Sequence, residues 1–254
     1  MLFFKISTMV KYRFGKHPAK RDYRTLRFKD YLKAGIAAAP AQFNVLTSVY
    51  KNLGIADPTK LFPMDGNDQY GDCTMAAAAH AITVYNGLTK NNVIMAQADL
   101  VKLYFQLTGG TDSGLDEMKV LNFWQSTGID VQKILAFVSI EPKDHAHVQQ
   151  AIQLFGGVYL GFQVQANAQE DFEAKKPWTP GKLTNDGHAV YAVAYDQTGV
   201  TVLTWGNTQQ GTWAWWDECV DEAYGILPPN AQQAGFAPGF DFAQLQADLK
   251  LVAG

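Results

Sequence analysis

Hydrophobic and polar positions follow helical spacing in the earlier part of the chain and form strand-like runs in the later part. The segments predicted as helices are 74–88, 99–107, 115–124 and 144–155. The segments predicted as strands are 156–164, 187–196 and 200–206. Because helices come first and no βαβ alternation occurs, the order predicts an α+β fold in which helices and an antiparallel sheet are segregated.

The chain divides into three predicted segments. Residues 1–59 form a basic arm and linker, in which lysines and arginines outnumber acidic residues. Residues 60–227 form the main domain, and residues 228–254 form a C-terminal loop and helix packed on it. The arm is expected to lie across the body as a solvated segment, and its charge also fits docking on a protein partner.

Composition and charge limit the classes of function. The chain has 254 residues, of which 47% are hydrophobic and 18% charged, as is ordinary for a globular protein. Its net charge of −3 gives no case for nucleic acid as a partner, and no apolar run approaches the length of a membrane span. The first residues lack the apolar stretch of an export signal, so a cytoplasmic location is expected. No metal-binding or phosphate-binding motif is present, so neither a metal nor a cofactor is expected.

Cys73 is the candidate nucleophile. It follows a glycine-containing loop and immediately precedes the predicted helix 74–88. The unpaired N–H groups and partial positive charge of a first helical turn favour the thiolate, so we expect an accessible thiol with a lowered pKa. The alternative is an inert structural residue, since free cysteine is among the most buried residue types.

His188 is the candidate base for that thiol. It stands at the start of the predicted strand 187–196, and the base of a cysteine nucleophile is commonly distant in sequence. His80 lies about two helical turns beyond Cys73, roughly 10 Å away, which is too far to take the proton. The alternative for His188 is a histidine hydrogen-bonded at the end of a strand.

Four blocks of the chain, in the same order, resemble the papain-like cysteine peptidases. They are GNDQYGDCTMAAAAHA, TGGTDSGLDEMKVLNFWQSTGI, VQQAIQLFGGVYLGFQV and GHAVYAVAYDQTGVTVLTWGN. The resemblance implies an N-terminal helical lobe with a central helix after Cys73, and a C-terminal lobe of antiparallel β-sheet. The residues around Cys73 also resemble a branch found in phage and prophage genes, which implies a virion as an alternative location.

The resemblance also implies roles for individual residues. Cys73 would be the nucleophile and His188 its general base, and Asn67 would supply an oxyanion-hole amide. Gln69 is a second candidate for that amide, and the alternative for Asn67 is a loop residue in an Asx turn. The residues expected to line the substrate cleft are Gly109, Gly110 and Trp205.

The group that orients His188 departs from the family pattern. The family has an asparagine where this chain has Leu203, which cannot form a hydrogen bond, so Thr204 and Asn207 are the candidates. Because neighbouring residues of a strand face opposite sides, Leu203 and Thr204 cannot both face His188. No inhibitory pro-region is recognisable before residue 60.

The favoured function is a thiol hydrolase that cleaves an amide bond in a peptide or protein through a Cys73 acyl-enzyme. A catalytically impaired papain-like scaffold or binding protein, such as a phage virion component, is the alternative because the orienting asparagine is missing. A second alternative is a cell-wall endopeptidase of the NlpC/P60 kind, suggested by Asp72-Cys73-Thr74. In that family the interval between the cysteine and the histidine is shorter than the interval from Cys73 to His188.

Overall fold

The computed structural model describes residues 12–55, 60–229, 231 and 238–252. The α-helices are α1 (Val45–Leu53), α2 (Cys73–Leu88), α3 (Gln97–Thr108), α4 (Glu117–Ser126), α5 (His145–Phe155), α6 (Ala168–Glu173), α7 (Trp213–Cys219) and α8 (Phe242–Val252). The strands are β1 (Phe43–Asn44), β2 (Ala136–Ser139), β3 (Val158–Gln165), β4 (Leu183–Tyr195), β5 (Gly199–Thr204), β6 (Asn207–Thr212) and β7 (Val220–Leu227), and Phe28–Tyr31 form a short 3-10 helix.

The strands form one antiparallel sheet. Its order is β2-β7-β3-β4-β5-β6, and β1 pairs with β4. In the centre of the sheet, Gly161 of β3 lies opposite Ala189 of β4 and opposite Glu222 of β7. The next residue, Phe162, lies opposite His188. The predicted α+β class with an antiparallel sheet is therefore confirmed, whereas the predicted order is only partly right, because α5 to α8 follow the first strands.

The helix α2 is the centre of the first of two hydrophobic cores. Nearly all of its residues are buried, and its run Ala76–Ala79 has side chains small enough to let the helix be enclosed on every side. Near its end, a Cβ atom at Gly87 would lie 2.7 Å from the Val49 side chain, so glycine permits the close approach of α1. The first core therefore fixes α2, and with it Cys73, against the sheet.

The second core lies on the other side of the sheet and includes both ends of the described chain. Tyr12, Phe28 and Tyr31 are buried in it, together with Leu245 of α8, whereas Tyr23 is 97% exposed. The three predicted segments, 1–59, 60–227 and 228–254, thus all contribute residues to this core. The boundaries between them stay a prediction. Of the helices in the described ranges, none has both the length and the apolar character needed to cross a membrane.

Candidate active site

Cys73 is the first residue of α2, and its thiol lies beside the strand that carries His188. The backbone N–H groups of Ala189 and Gly15 are near enough to the sulfur to favour its charged form. Ala189 directly follows His188 in β4. The fold therefore brings the start of the central helix to the same point as the strand of the candidate base.

The His188 ring is buried, and one of its two nitrogen atoms has a hydrogen-bond partner. Its Nε2 atom lies 2.8 Å from the Oγ1 atom of Thr204. The indole of Trp205 stacks on the ring at 4.7 Å between centroids, and Phe162 meets it edge-on at 5.6 Å. The Nδ1 atom is buried and has no hydrogen-bond partner within the described ranges. This leaves Nδ1 as the ring nitrogen that is available to take a proton.

Of the two candidate orienting residues, Thr204 is the one that contacts His188. Leu203 is fully buried in the first hydrophobic core. Asn207 is exposed at the start of β6, where its side-chain oxygen accepts a hydrogen bond from the Thr208 N–H at 2.8 Å. The alternation of side chains along β5 explains why Leu203 and Thr204 face opposite sides of the sheet.

The two candidate oxyanion amides lie in different environments. Asn67 is buried, and its Nδ2 atom donates to the carbonyl oxygens of Arg13 at 3.2 Å and Tyr70 at 3.1 Å. Gln69 is exposed. Asn67 therefore already presents an N–H group to a carbonyl of another segment, which is the type of contact that an oxyanion hole makes.

Residues 12–17 form a strap that lies across this site. The strap bonds through its backbone to Gly187 of β4 and to the loops that contain Asn67 and Leu115. These hydrogen bonds run from Arg13 N to Asn67 O (2.9 Å), Gly15 N to Gly187 O (3.2 Å), Lys16 N to Gly187 O (3.0 Å), His17 N to Leu115 O (2.9 Å) and Leu115 N to Gly15 O (2.9 Å). The sequence does not predict this segment, since it shows no pro-region and favours a solvated arm.

The strap fits closely because glycines face each other across it. A Cβ atom at Gly15 would lie 1.9 Å from the Gly71 carbonyl oxygen, and one at Gly187 would lie 2.4 Å from the Lys16 carbonyl oxygen. A Cβ atom at Gly114 would lie 2.1 Å from the Gly15 carbonyl oxygen. No side chain therefore fits at these three positions while the strap is in place.

The glycines expected to line the cleft lie apart from the strap. Gly109 ends α3 in the left-handed conformation, and no described atom lies within 4 Å of a Cβ atom built at Gly109 or Gly110. The glycine in contact with the strap is instead Gly114, further along the same loop. Trp205 contacts two aromatic residues of the strap. The ring of Tyr12 stacks on the indole with 4.6 Å between centroids, and the ring of Phe14 is tilted to it with 5.8 Å between centroids.

Cys73 and His188 are both uncharged while the strap covers them. Burial raises the pKa of the Cys73 thiol to about 12, and the charge of Asp72 adds to this rise. Burial also lowers the pKa of His188 to about 3. The expectation of an accessible, acidic thiol is thus wrong for this arrangement, because loss of hydration outweighs the helix terminus. At neutral pH the site contains a thiol and a neutral imidazole.

Solved structures resemble this chain, whereas no family model and no curated protein matches its sequence. Xylellain, a cysteine protease from Xylella fastidiosa, is 17% identical with a TM-score of 0.65, over 86% of this chain and 97% of that chain. Procathepsin L 3 of the Tenebrio molitor larval midgut is 9% identical with a TM-score of 0.57, over 82% of this chain and 75% of that one. ProCathepsin B S9 from Trypanosoma congolense is 12% identical with a TM-score of 0.54, over 85% of this chain and 86% of that chain.

This chain has the papain-like fold. At these identities the likeness establishes the fold and not an activity. Two parts of the predicted papain-like architecture are confirmed: a helical lobe whose central helix begins at Cys73, and an antiparallel sheet lobe that carries His188.

Proposed function

We propose that this protein is a cysteine peptidase-like thiol hydrolase whose cleft is occupied by its own strap. One observation carries the proposal. The Cys73 thiol, at the start of the central helix, lies beside β4 where His188 is held by Thr204. The candidate nucleophile, the candidate base and a hydroxyl that can orient the base lie on α2, β4 and β5, and this combination supports nucleophilic catalysis.

The reaction would begin with transfer of the Cys73 proton to Nδ1 of His188. The sulfur then attacks the carbonyl carbon of an amide bond, and the Nδ2–H of Asn67 and the backbone N–H of Cys73 stabilise the oxyanion. Collapse of the tetrahedral intermediate breaks the C–N bond, and His188 donates its proton to the leaving amine. Water then attacks the thioester, with His188 as base, and releases the acid and the free thiol.

The strap would keep this chemistry latent. While it lies over Cys73, burial holds the thiol neutral, and the amide of Asn67 is used by the Arg13 carbonyl. Displacement of the strap would rehydrate the sulfur and leave the helix terminus and the N–H of Ala189 to favour the thiolate. Two of the solved neighbours, procathepsin L 3 and proCathepsin B S9, are likewise named as pro-forms.

The test uses Gly15→Ala in the full chain. Its Cβ atom cannot coexist with the Gly71 carbonyl, so the strap is expected to leave the cleft. We expect this variant to cleave a mixed fluorogenic peptide library, and to lose that activity when Cys73→Ser or His188→Ala is added. Gly181→Ala is the matched control, because the nearest atom to its Cβ is a side-chain oxygen at 3.1 Å.

The second candidate is a papain-like scaffold or binding protein, such as a phage virion component. The buried, neutral thiol and the use of a threonine in place of an amide beside His188 favour it. Iodoacetamide separates the two functions. Labelling of Cys73 in Gly15→Ala, with no peptide cleaved, would favour the scaffold, whereas labelling together with cleavage supports the hydrolase. The NlpC/P60-like alternative has only the Asp72-Cys73-Thr74 string in its favour.

A further inference from the structure

Lys16 of the strap extends into a pocket of carboxyl groups. Its side chain is 1% exposed, and its Nζ atom lies 3.0 Å from Oδ1 of Asp221 and 2.9 Å from Oε1 of Glu222. The ammonium also donates to the His17 carbonyl oxygen at 3.1 Å. Burial alone lowers the pKa of a lysine, but the surrounding carboxylates outweigh it, so the pKa of Lys16 is raised.

Glu117 is the third carboxyl group of this pocket. It is fully buried, and within the described part of the chain neither of its oxygens has a hydrogen-bond partner. A buried carboxyl group without a partner is costly, and Asp221 and Glu222 add two further acids around a single ammonium. Burial raises the pKa of Glu117 and of Glu222, whereas the charge of Lys16 lowers both, so a cation in the pocket favours the ionised carboxylates that bind it.

The pocket lies next to the Cys73 thiol. Gly161 pairs with Glu222 on one side and with Ala189 on the other, and the N–H of Ala189 faces the sulfur. The charge of Glu117 also acts on Cys73. The side chain of Asp221 is 38% exposed, so this carboxyl group contacts solvent, unlike Glu117 and Glu222.

Gly161 sets the width of the pocket. A Cβ atom at this position would lie 1.8 Å from Cε and 2.5 Å from Cδ of Lys16. The same Cβ atom would lie 2.8 Å from Oε1 of Glu117. The aliphatic part of the Lys16 side chain therefore packs against the backbone of Gly161. The pocket has room for an unbranched aliphatic side chain that ends in a cation.

We propose that Glu117, Asp221 and Glu222 form a substrate pocket that selects a cationic side chain, and that Lys16 is its internal occupant. This inference rests on the proposed function, because the pocket determines specificity only if Cys73 cuts peptides. The substrate class is then a peptide that carries a lysine or arginine beside the bond that is cut.

The first test measures binding without catalysis, in the full-length Lys16→Ala variant. This substitution removes four atoms that n-propylammonium replaces and that 1-propanol matches without the charge. We expect n-propylammonium chloride, at about ten times its dissociation constant, to raise the thermal midpoint of Lys16→Ala by about 3 °C relative to equal sodium chloride. In the wild-type chain Lys16 fills the pocket, so the midpoint should not move. An equal effect of 1-propanol, or no effect of the amine, would overturn the proposal.

A second variant covers the case in which Lys16→Ala does not fold. The Gly15→Ala variant keeps all three carboxyl groups. Its added Cβ atom is expected to displace the strap and so to remove Lys16 from the pocket. The same amine should raise its midpoint, and the effect should be lost when Glu222→Gln is added. Glu218→Gln, an exposed acid on the neighbouring α7, is the control and should retain the effect. No amine effect in either variant contradicts the pocket.

The catalytic test separates this inference from the proposed function. In Gly15→Ala, peptides with lysine or arginine should be cleaved at least about tenfold faster than matched peptides with ε-acetyl-lysine. Equal rates for charged and acetylated peptides would overturn the pocket and leave the hydrolase intact. If no peptide is cleaved but the amine still binds, the hydrolase fails and the cation site remains.

Discussion

His188 and Thr204 are joined by a hydrogen bond of 2.8 Å inside the sheet, and no amide takes part in it. A hydroxyl can both donate and accept, so Thr204 can serve either tautomer of the ring. Trp205 stacks on the same ring and is itself buried, which keeps water from this bond. A threonine under an indole can therefore fix the ring where an asparagine is absent.

The first prediction concerns this hydrogen bond. Thr204→Val keeps the shape of the side chain and removes the hydroxyl. In the Gly15→Ala background we expect kcat/KM to fall by about tenfold, because the ring loses the bond that holds its orientation. Thr201→Val, on the same strand, is the control and should leave kcat/KM unchanged. An unaltered pH–rate profile and rate in Thr204→Val would show that the hydroxyl does not position the base.

The second prediction concerns acid stability. Burial lowers the pKa of His188 to about 3, whereas an unfolded histidine titrates near 6.5. As the pH falls below about 6.5, His188 is protonated in the unfolded chain but stays neutral in the native chain. The free energy of unfolding therefore falls by up to about 1.4 kcal/mol per pH unit. Urea unfolding of His188→Gln between pH 7 and pH 4 should therefore give a flatter profile. Thr204→Val retains the buried ring and should keep the wild-type slope.

The third prediction concerns Asp72, whose pKa is raised by burial and not lowered like that of His188. Burial raises its pKa to about 8, so the native chain keeps a proton that the unfolded chain releases near pH 4. The stability from this proton is complete below about pH 4 and is lost as the pH rises towards 8. Asp72→Asn should therefore gain stability relative to wild type as the pH is raised from 5 to 8. A constant difference across this range would contradict a buried, protonated Asp72.

The fourth prediction tests the strap from the opposite wall of the cleft. A Cβ atom at Gly187 would lie 2.4 Å from the Lys16 carbonyl oxygen, which is backbone and cannot move aside alone. Gly187→Ala should therefore reproduce the iodoacetamide reactivity of Cys73 expected for Gly15→Ala. Because both changes act by displacing one segment, the double variant should react no faster than either single variant. Additive rates would argue against a shared cause.

Local patterns in the sequence were enough to predict the elements that carry the candidate pair. The loop before Cys73 and the small residues after it predicted the start of α2, and the apolar run after Gly187 predicted β4. The period of two in a strand also separated Leu203 from Thr204. Each of these features depends on neighbours in the chain, so it can be predicted from the sequence alone.

The strap depends on contacts that no local pattern records. Gly15 fits because Gly71 and Gly114 also lack side chains, and these glycines come from separate segments. Glu117 gave no signal either, because an acidic residue in the first turn of a helix is ordinary. Its burial follows from the sheet packed against it. The sequence also predicts the wrong direction for the pKa of Cys73, because the helix terminus is a local feature whereas the burial of the thiol depends on distant segments.

The hydrogen bonds of Gly15 and Lys16 to Gly187 join two parts of one polypeptide, so in the proposed hydrolase the strap would compete with substrate as a tethered ligand. Dilution cannot separate them, and the strap acts at an effective concentration on the order of 1 mM. If its own affinity resembles that of a peptide with a Kd of about 1 μM, only about one molecule in a thousand is open. An added peptide of equal affinity would then bind with an apparent Kd of about 1 mM. Latency of this kind is the same in a dilute extract as in a concentrated compartment.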